Sequence, residues 1–423
     1  MSNFPPYLTR SLTDRLPPPD TPRIAVLTGA RQTGKTTLAR RVYPGLRYIN
    51  LDAPENRDAL RETSTIGWGQ TIGNAIIDEA HKAPVVFEKV KYAFDEKDIS
   101  FTVLTGSSQI LLLKNICESL AGRAFFYELW PMMQCELCSH LSSGETGPPM
   151  LHHLAAAPDI GAFMSSMSNM VLEAEDFPSK AIEAHLLAWG GMPSLLELSD
   201  EDRWQWLKNY GHTYLERDLR DLSRMDDLAP FRKFQKLSAL RSAMLLNYSE
   251  LARDAAISVD TARRYLEYLR ISYQIVLLQP YYRNLTSSAV KTPKLYWTDI
   301  GIWRQLTGFR GASSGQLYES MVVSEVIKWV RTAQDDLDVY YYRTRSGLEV
   351  DLLLENAQGV IGIEIKSRET ISGPDTSALK AVALALGDRW RGGLVIYSGR
   401  RIERIADPNI WAIPSRRLFQ PLQ

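Results

Sequence analysis

Cysteine is scarce, with three in 423 residues. That excludes a disulfide framework and makes a reducing, cytoplasmic setting the expectation. Net charge is missing as well, since 49 basic residues face 49 acidic ones. A chain balanced in this way has no global pull toward nucleic acid or membrane, so any polyanion site must come from local clustering. The sequence contains no run of 18 apolar residues, so no membrane span is expected. Its first residues lack an apolar signal core, and Arg10 and Arg15 interrupt them early. Hydrophobic residues make up 45% of the chain. That content and this length predict two or three soluble domains with a sizeable core.

What is present is organised around Gly29-Ala30-Arg31-Gln32-Thr33-Gly34-Lys35-Thr36-Thr37. An apolar run, Ile24 to Leu27, precedes it and a helix-like segment, Thr37 to Val42, follows. Strand, glycine loop and helix form the context of a phosphate-binding loop. Glycines let successive N–H groups turn inward toward an anion, and the helix adds its positive end. All nine loop residues are therefore expected at ATP. Lys35 would reach the β- and γ-phosphates, and the Thr36 hydroxyl would hold Mg²⁺.

Four further strands are predicted near 47–52, 74–79, 100–108 and 124–129, with helical patterns between them. This is the α/β pattern of a parallel sheet, whose ligands sit at the carboxyl ends of its strands. Asp78 and Glu79 fall at such an end. Asp78 is expected to hold the Mg²⁺ of ATP, and Glu79 to polarise the attacking water. Ser107 and Ser108 end the neighbouring strand, where a hydroxyl would sense the γ-phosphate, unless they form a simple turn. Arg123 follows Leu120-Ala121-Gly122. It is expected as an arginine finger on its own or a neighbouring subunit's nucleotide, the alternative being a helix-end arginine. A finger acting between subunits implies a homo-oligomer.

Residues 1–22 are proline-rich and read as an extended lead-in, not a core element. Residues 141–170 are rich in Ser, Gly, Pro, Ala and Met and read as a loop or insert within a helical linker region spanning 141–230. Cys135 and Cys138, with nearby histidines, resemble part of a zinc site, but no second Cys-x-x-Cys follows. The alternative is a helix with two small buried thiols.

Residues 231–310 have the pattern of a winged helix: helices over 231–246, from 248 and over 259–269, then strands at 275–279 and 294–297. Arg263, Arg264 and Arg270 on the third helix, with Arg283, Lys291 and Lys294 in the wing, would make a local basic face for duplex or branched DNA. Protein contact is the alternative use of such a fold.

From 311 onward a helix carrying Glu319 precedes two apolar runs, 347–354 and 359–366, around a polar turn. A hairpin turn centred between Ala357 and Gln358 places Asp351 opposite Glu364, and Lys366 shares the face of Glu364. Charges in an apolar strand are costly unless paired or metal-bound. Mg²⁺ held by Asp351 and Glu364, with Lys366 orienting water, would make a phosphodiester-cleaving site. A salt-bridged hairpin is the alternative.

Taken in order, these motifs resemble a large group of prokaryotic AAA-type ATPases whose C-terminal region is a domain of unknown function similar to the PD-(D/E)xK nuclease fold. The resemblance runs over roughly residues 5–420. It implies nucleotide roles for Gly34, Lys35, Thr36, Asp78 and Glu79, a sensing or finger role for Arg123, and a nuclease-like set of Glu319, Asp351, Glu364 and Lys366. His81, after the acidic pair, departs from the apolar or glutamine residue expected there. The expected activity is ATP hydrolysis coupled to DNA engagement or remodelling. An ATP-gated nuclease and a non-catalytic ATP-dependent switch that binds protein partners are the alternatives.

Overall fold

The computed structural model describes residues 8–106, 120–141, 147–169, 173–222, 228–281 and 291–422. Ser107, Ser108 and Arg283 lie outside the described residues.

The amino-terminal sheet has five strands: β1 (Arg23–Thr28), β2 (Arg47–Asn50), β3 (Ala75–Asp78), β4 (Phe101–Thr105) and β5 (Ala124–Glu128). Their order is β2-β3-β4-β1-β5, and every pairing is parallel. The apolar runs read from the sequence suit strands covered on both faces. Ile24 and Val26 enter one core with Ile77, Leu104 and Phe87, while Ala25 and Leu27 enter another with Ile76, Val103 and Leu38. The proline-rich lead-in is partly core, contrary to expectation. Ser11–Arg15 forms a short 3-10 helix, and Leu12 is fully buried in the second of these cores.

Two segments read as loop or linker are helical. Met150–Ala156 and Ile160–Ser166 are short helices whose Leu151, Leu154, Ile160 and Met164 enter the largest core. Longer helices span Glu173–Trp189 and Asp200–Leu222.

The second sheet has nine strands: β6 (Met244–Leu245), β7 (Ile275–Pro280), β8 (Lys294–Trp297), β9 (Asp338–Arg343), β10 (Glu349–Asn356), β11 (Gly359–Lys366), β12 (Trp390–Tyr397), β13 (Glu403–Ala406) and β14 (Ile410–Pro414). Their order is β13-β14-β12-β11-β10-β9-β7-β8-β6. Helices Ala229–Ala239, Tyr248–Ala255 and Val259–Ile271 precede β7. The first is shorter than the span 231–246, because the chain turns at Ala243, with φ 62°, into β6. Asn247 caps the second by accepting a hydrogen bond from Glu250 N at 3.1 Å. The parallel pairing of Gln279 and Pro280 with Tyr340 and Tyr341 joins the strands of 231–310 and of the C-terminal region in one sheet. The helix Gly315–Ala333, buried along most of its length, is central to the largest core.

Candidate active site

The phosphate-type loop joins β1 to the helix Lys35–Val42. Gly29 has φ 144°, and a Cβ there would meet Leu129 O at 2.1 Å, so only glycine fits beside the exit of β5. Gln32 and Gly34 also take positive φ, at 61° and 96°, which curls the loop. Lys35 is buried, and its Nζ donates to Gly29 O at 3.0 Å and Ala30 O at 2.7 Å. Tyr210 donates to Arg31 O at 3.3 Å, and Thr33 Oγ1 to Ala30 O at 2.9 Å. The nine loop residues, Gly29 through Thr37, are thus contiguous at the carboxyl end of β1.

Asp78 ends β3, two strands away across β4. Its Oδ2 accepts from Thr36 Oγ1 at 2.8 Å and from Tyr48 OH at 2.7 Å, and its Oδ1 accepts from Thr105. Two hard oxygen donors, Thr36 Oγ1 and Asp78 Oδ2, therefore meet beside the loop, a set that suits Mg²⁺. Glu79 follows in the left-handed region, with φ 55°, which a side chain this bulky rarely adopts. Burial pushes its carboxyl up, against Lys35, and Asp78 adds to the rise. His81 Nδ1 lies 3.3 Å from Glu79 Oε2, so the departure noted in the sequence places an imidazole against the acid.

Arg123 does not come to this loop. It precedes Ala124, which registers with Ile24, whereas the loop follows Thr28, so about 16 Å of strand separates them. Its guanidinium holds the Asp95 carboxylate at 2.6 and 3.0 Å on the surface. A role on this chain's own nucleotide is corrected by that placement, and the bond to Ala121 O at 3.1 Å beside the Asp95 pair suits the alternative, a surface arginine at a helix end.

Sequence reasoning missed Arg10 and Tyr273. Arg10 is buried, and it donates to Thr33 O at 2.7 Å, Trp130 O at 2.6 Å and Glu136 Oε1 at 3.1 Å. Glu136 also accepts from Ser11 N and Met133 N, and the adjacent Gln134 N donates to Glu325 of the helix Gly315–Ala333. One guanidinium thus ties the loop backbone to the C-terminal region. Arg10→Ala would leave the Glu136 carboxylate buried without its cation, at a cost of about 3–5 kcal/mol. A fall in the thermal unfolding midpoint checks this, and Arg10→Lys should not restore it, because an ammonium cannot span three acceptors in a fork. Tyr273, just past the helix Val259–Ile271, exchanges a 2.7 Å hydrogen bond with Thr28 Oγ1 and packs edge-on against Trp130.

The expected DNA-facing cations divide. Arg263, Arg264, Arg270 and Lys291 are exposed, although Glu267 holds Arg270 at 2.6 Å and Asp260 lies 4.0 Å from Arg263. Lys294 is only 3% exposed, so its assignment to a DNA-facing wing is corrected. It points instead into the acidic centre of the second sheet.

That centre brings together Glu319, Asp351, Glu364 and Lys366. The ladder pairs Leu352 with Ile363 and Asn356 with Gly359, the register that sets Asp351 against Glu364. Asp351 Oδ2 accepts from Ile365 N at 2.8 Å, and Lys366 Nζ donates to Glu364 at 2.6 Å. Glu349, Lys294 and Tyr296 also belong to it, and no motif in the sequence points to their joining it. Tyr296 donates to Glu319 at 2.7 Å. Burial, then Glu364 and Glu319, push the Asp351 carboxyl well up, and burial raises Glu364 against Lys366. Burial pulls the Lys294 ammonium down, but Glu319, Asp351 and Glu349 outweigh it and hold it above its ordinary value. Among the described residues, no group of three or more His, Cys, Asp or Glu is arranged to hold a metal ion. The expected Mg²⁺ of Asp351 and Glu364 would have to share this space with the Lys294 ammonium, 4.0 Å from Asp351 Oδ1. Cys135 and Cys138 are buried in one helix, beside the hydroxyls of Ser11 and Ser179 at 3.8 and 3.9 Å.

Residues 21–138 match a family described as an AAA domain. Residues 182–313 and 314–418 match two domains of unknown function, DUF8612 and DUF4143. The uncharacterized protein Rv2008c of Mycobacterium tuberculosis is 30% identical over 407 residues, which span 94% of this chain and 81% of the relative. The uncharacterized protein MJ1544 of Methanocaldococcus jannaschii is 22% identical over 78% of this chain and 72% of its own. Among solved structures, the Walker-type ATPase of Pyrococcus abyssi aligns over 68% of this chain and 91% of its own, with 17% identity and a TM-score of 0.43, too loose to carry an argument. The loop geometry, the parallel sheet and these matches agree: this chain belongs to the same family as the mycobacterial protein Rv2008c, and it opens with an AAA-type P-loop ATPase domain.

Proposed function

We propose that the chain hydrolyses ATP and couples nucleotide state to the engagement of DNA. One constellation carries the hydrolysis: Lys35, Thr36, Asp78 and Glu79 at the carboxyl ends of one parallel sheet. The loop N–H groups and Lys35 bind and orient the triphosphate. Thr36 and Asp78 would hold Mg²⁺, which would supply neutralisation of phosphate charge. Tyr48 and Thr105 fix the Asp78 carboxylate by hydrogen bonds. Glu79 takes the proton of the attacking water. Its upward shift brings its basicity nearer neutral pH, where a general base is most effective, and the His81 imidazole lies beside its carboxylate. Arg123 acts, on this reading, on a neighbouring subunit's nucleotide, which requires a homo-oligomer.

The DNA reading treats residues 229–297 as a winged helix. Its support is the exposed Arg263 and Arg264 on the helix Val259–Ile271, with Lys291 beyond the strand that follows. The same helix leads into Tyr273, which sits on Thr28 one residue before the loop, so tilting it would be felt where phosphates are held. The test is the ATPase rate with and without single-stranded, duplex and branched DNA at a fixed salt concentration. Stimulation by DNA is expected, and Arg264→Glu should weaken DNA affinity about tenfold and flatten its salt dependence. A rate indifferent to all three DNAs, with no DNA retained at low salt, would favour the switch that binds protein partners.

A further inference from the structure

Glu319, Asp351, Glu364 and Lys366 carry the residue types of a metal-dependent nuclease and do converge. A lysine from outside that set stands among them. We infer that Lys294 is the resident cation of this centre, taking the place a divalent ion would occupy, so that the C-terminal region keeps a nuclease-like acid pattern without a metal site.

Lys294 Nζ lies 3.3 Å from Glu319 Oε1 and 4.0 Å from Asp351 Oδ1, and closer still to Glu349 Oε1. Three carboxylates from a helix and a strand therefore converge on one ammonium, much as oxygen ligands converge on a metal. The side chain cannot swing away cheaply: it is 3% exposed and its strand is hydrogen-bonded on both sides, to β6 and β7. The other oxygens are largely occupied too. Ile365 N holds Asp351 Oδ2, Lys366 holds Glu364 Oε1 and Arg343 holds Glu349 Oε2 at 2.9 Å, while Tyr296 donates to the same Glu319 Oε1 that the lysine meets. Glu364 Oε2 is left without a donor. That oxygen, together with Glu319 Oε2, is a poor beginning for an ion that wants six oxygen ligands, and an ammonium a few ångströms away opposes a second positive charge. The lysine arrives from β8, whereas its acid partners lie in the helix Gly315–Ala333 and β10. The centre therefore works as a polar bolt between the winged-helix region and the C-terminal strands.

Mn²⁺ is the probe, counted by the loss of its free EPR signal in the nucleotide-free full-length protein. Wild type and Asp351→Asn should take up the same number of ions. Wild type binding one ion more than Asp351→Asn overturns the inference. Lys294→Met frees the acids and should gain one Mn²⁺, lost again when Asp351→Asn is added. A folded Lys294→Met that gains none also overturns the inference. Should Lys294→Met not fold, the comparison of wild type with Asp351→Asn decides alone. Neither comparison depends on whether the chain hydrolyses ATP or binds DNA.

Discussion

Lys35→Ala is expected to abolish ATP turnover, lowering kcat/KM by at least about 100-fold. Removal of one preorganised donor from developing transition-state charge costs roughly 10²–10³ in rate, and this donor carries a full charge. The effect should fall on binding as well, because the loop's remaining donors are neutral backbone N–H groups. Lys35 is also a buried cation bonded to Gly29 O and Ala30 O. Lys35→Met, which keeps the apolar stem, therefore serves as the control for collapse of the loop. Steady-state phosphate release and nucleotide titration of both variants check the claim, and turnover near the wild-type rate in either would refute the assignment of the loop.

Glu79→Gln is the second large effect and has a different signature. Nucleotide binding should persist while kcat falls by about 10²–10⁴, the usual contribution of a positioned general base. The result is a protein that holds ATP without turning it over. The pH profile gives an independent reading. Burial holds the Glu79 carboxyl above its ordinary value, and the base works only when ionised. Turnover in wild type should therefore drop as pH falls through that raised value, at a higher pH than an ordinary glutamate would give. Glu79→Gln should lose this acid limb altogether. A limb that survives the substitution would assign the proton acceptor elsewhere.

The ATPase sheet was legible because its inner strands β1, β3 and β4 are buried on both faces and so carry apolar runs, those of β1 and β3 ending at the glycine and the acid that the proposed chemistry uses. The hairpin register at Asp351 and Glu364 was legible because a two-residue turn at Ala357 and Gln358 fixes every pairing behind it. Lys294 was not legible. A lone lysine opening a four-residue strand looks like a solvated wing cation, and only the long-range pairing of β7 with β9 turns it inward. Arg10 was hidden for a related reason. It sits in a proline-rich segment that reads as a lead-in, and its partners lie 23, 120 and 126 residues away along the chain. The helices within 141–170 were obscured by small residues that act as breakers alone but fit well against a large core. Arg123 carries the opposite lesson: its sequence context suggested the nucleotide, yet the parallel strand it precedes delivers it to the wrong end of the sheet.

The parallel joint of β7 to β9 bears on anyone who would divide this protein. The family boundary between residues 313 and 314 is an inviting place to cut. A fragment beginning there would keep Glu319, Glu349 and Asp351 but lose Lys294, and it would present the flank of β9 to solvent as a bare, sticky border. A piece that keeps the whole sheet must begin before β6 at Met244, and the core beneath that sheet draws on residues as early as Met133, so the hydrogen bonds and packing across the sheet, and not the recurring sequence blocks, mark where this molecule can be divided.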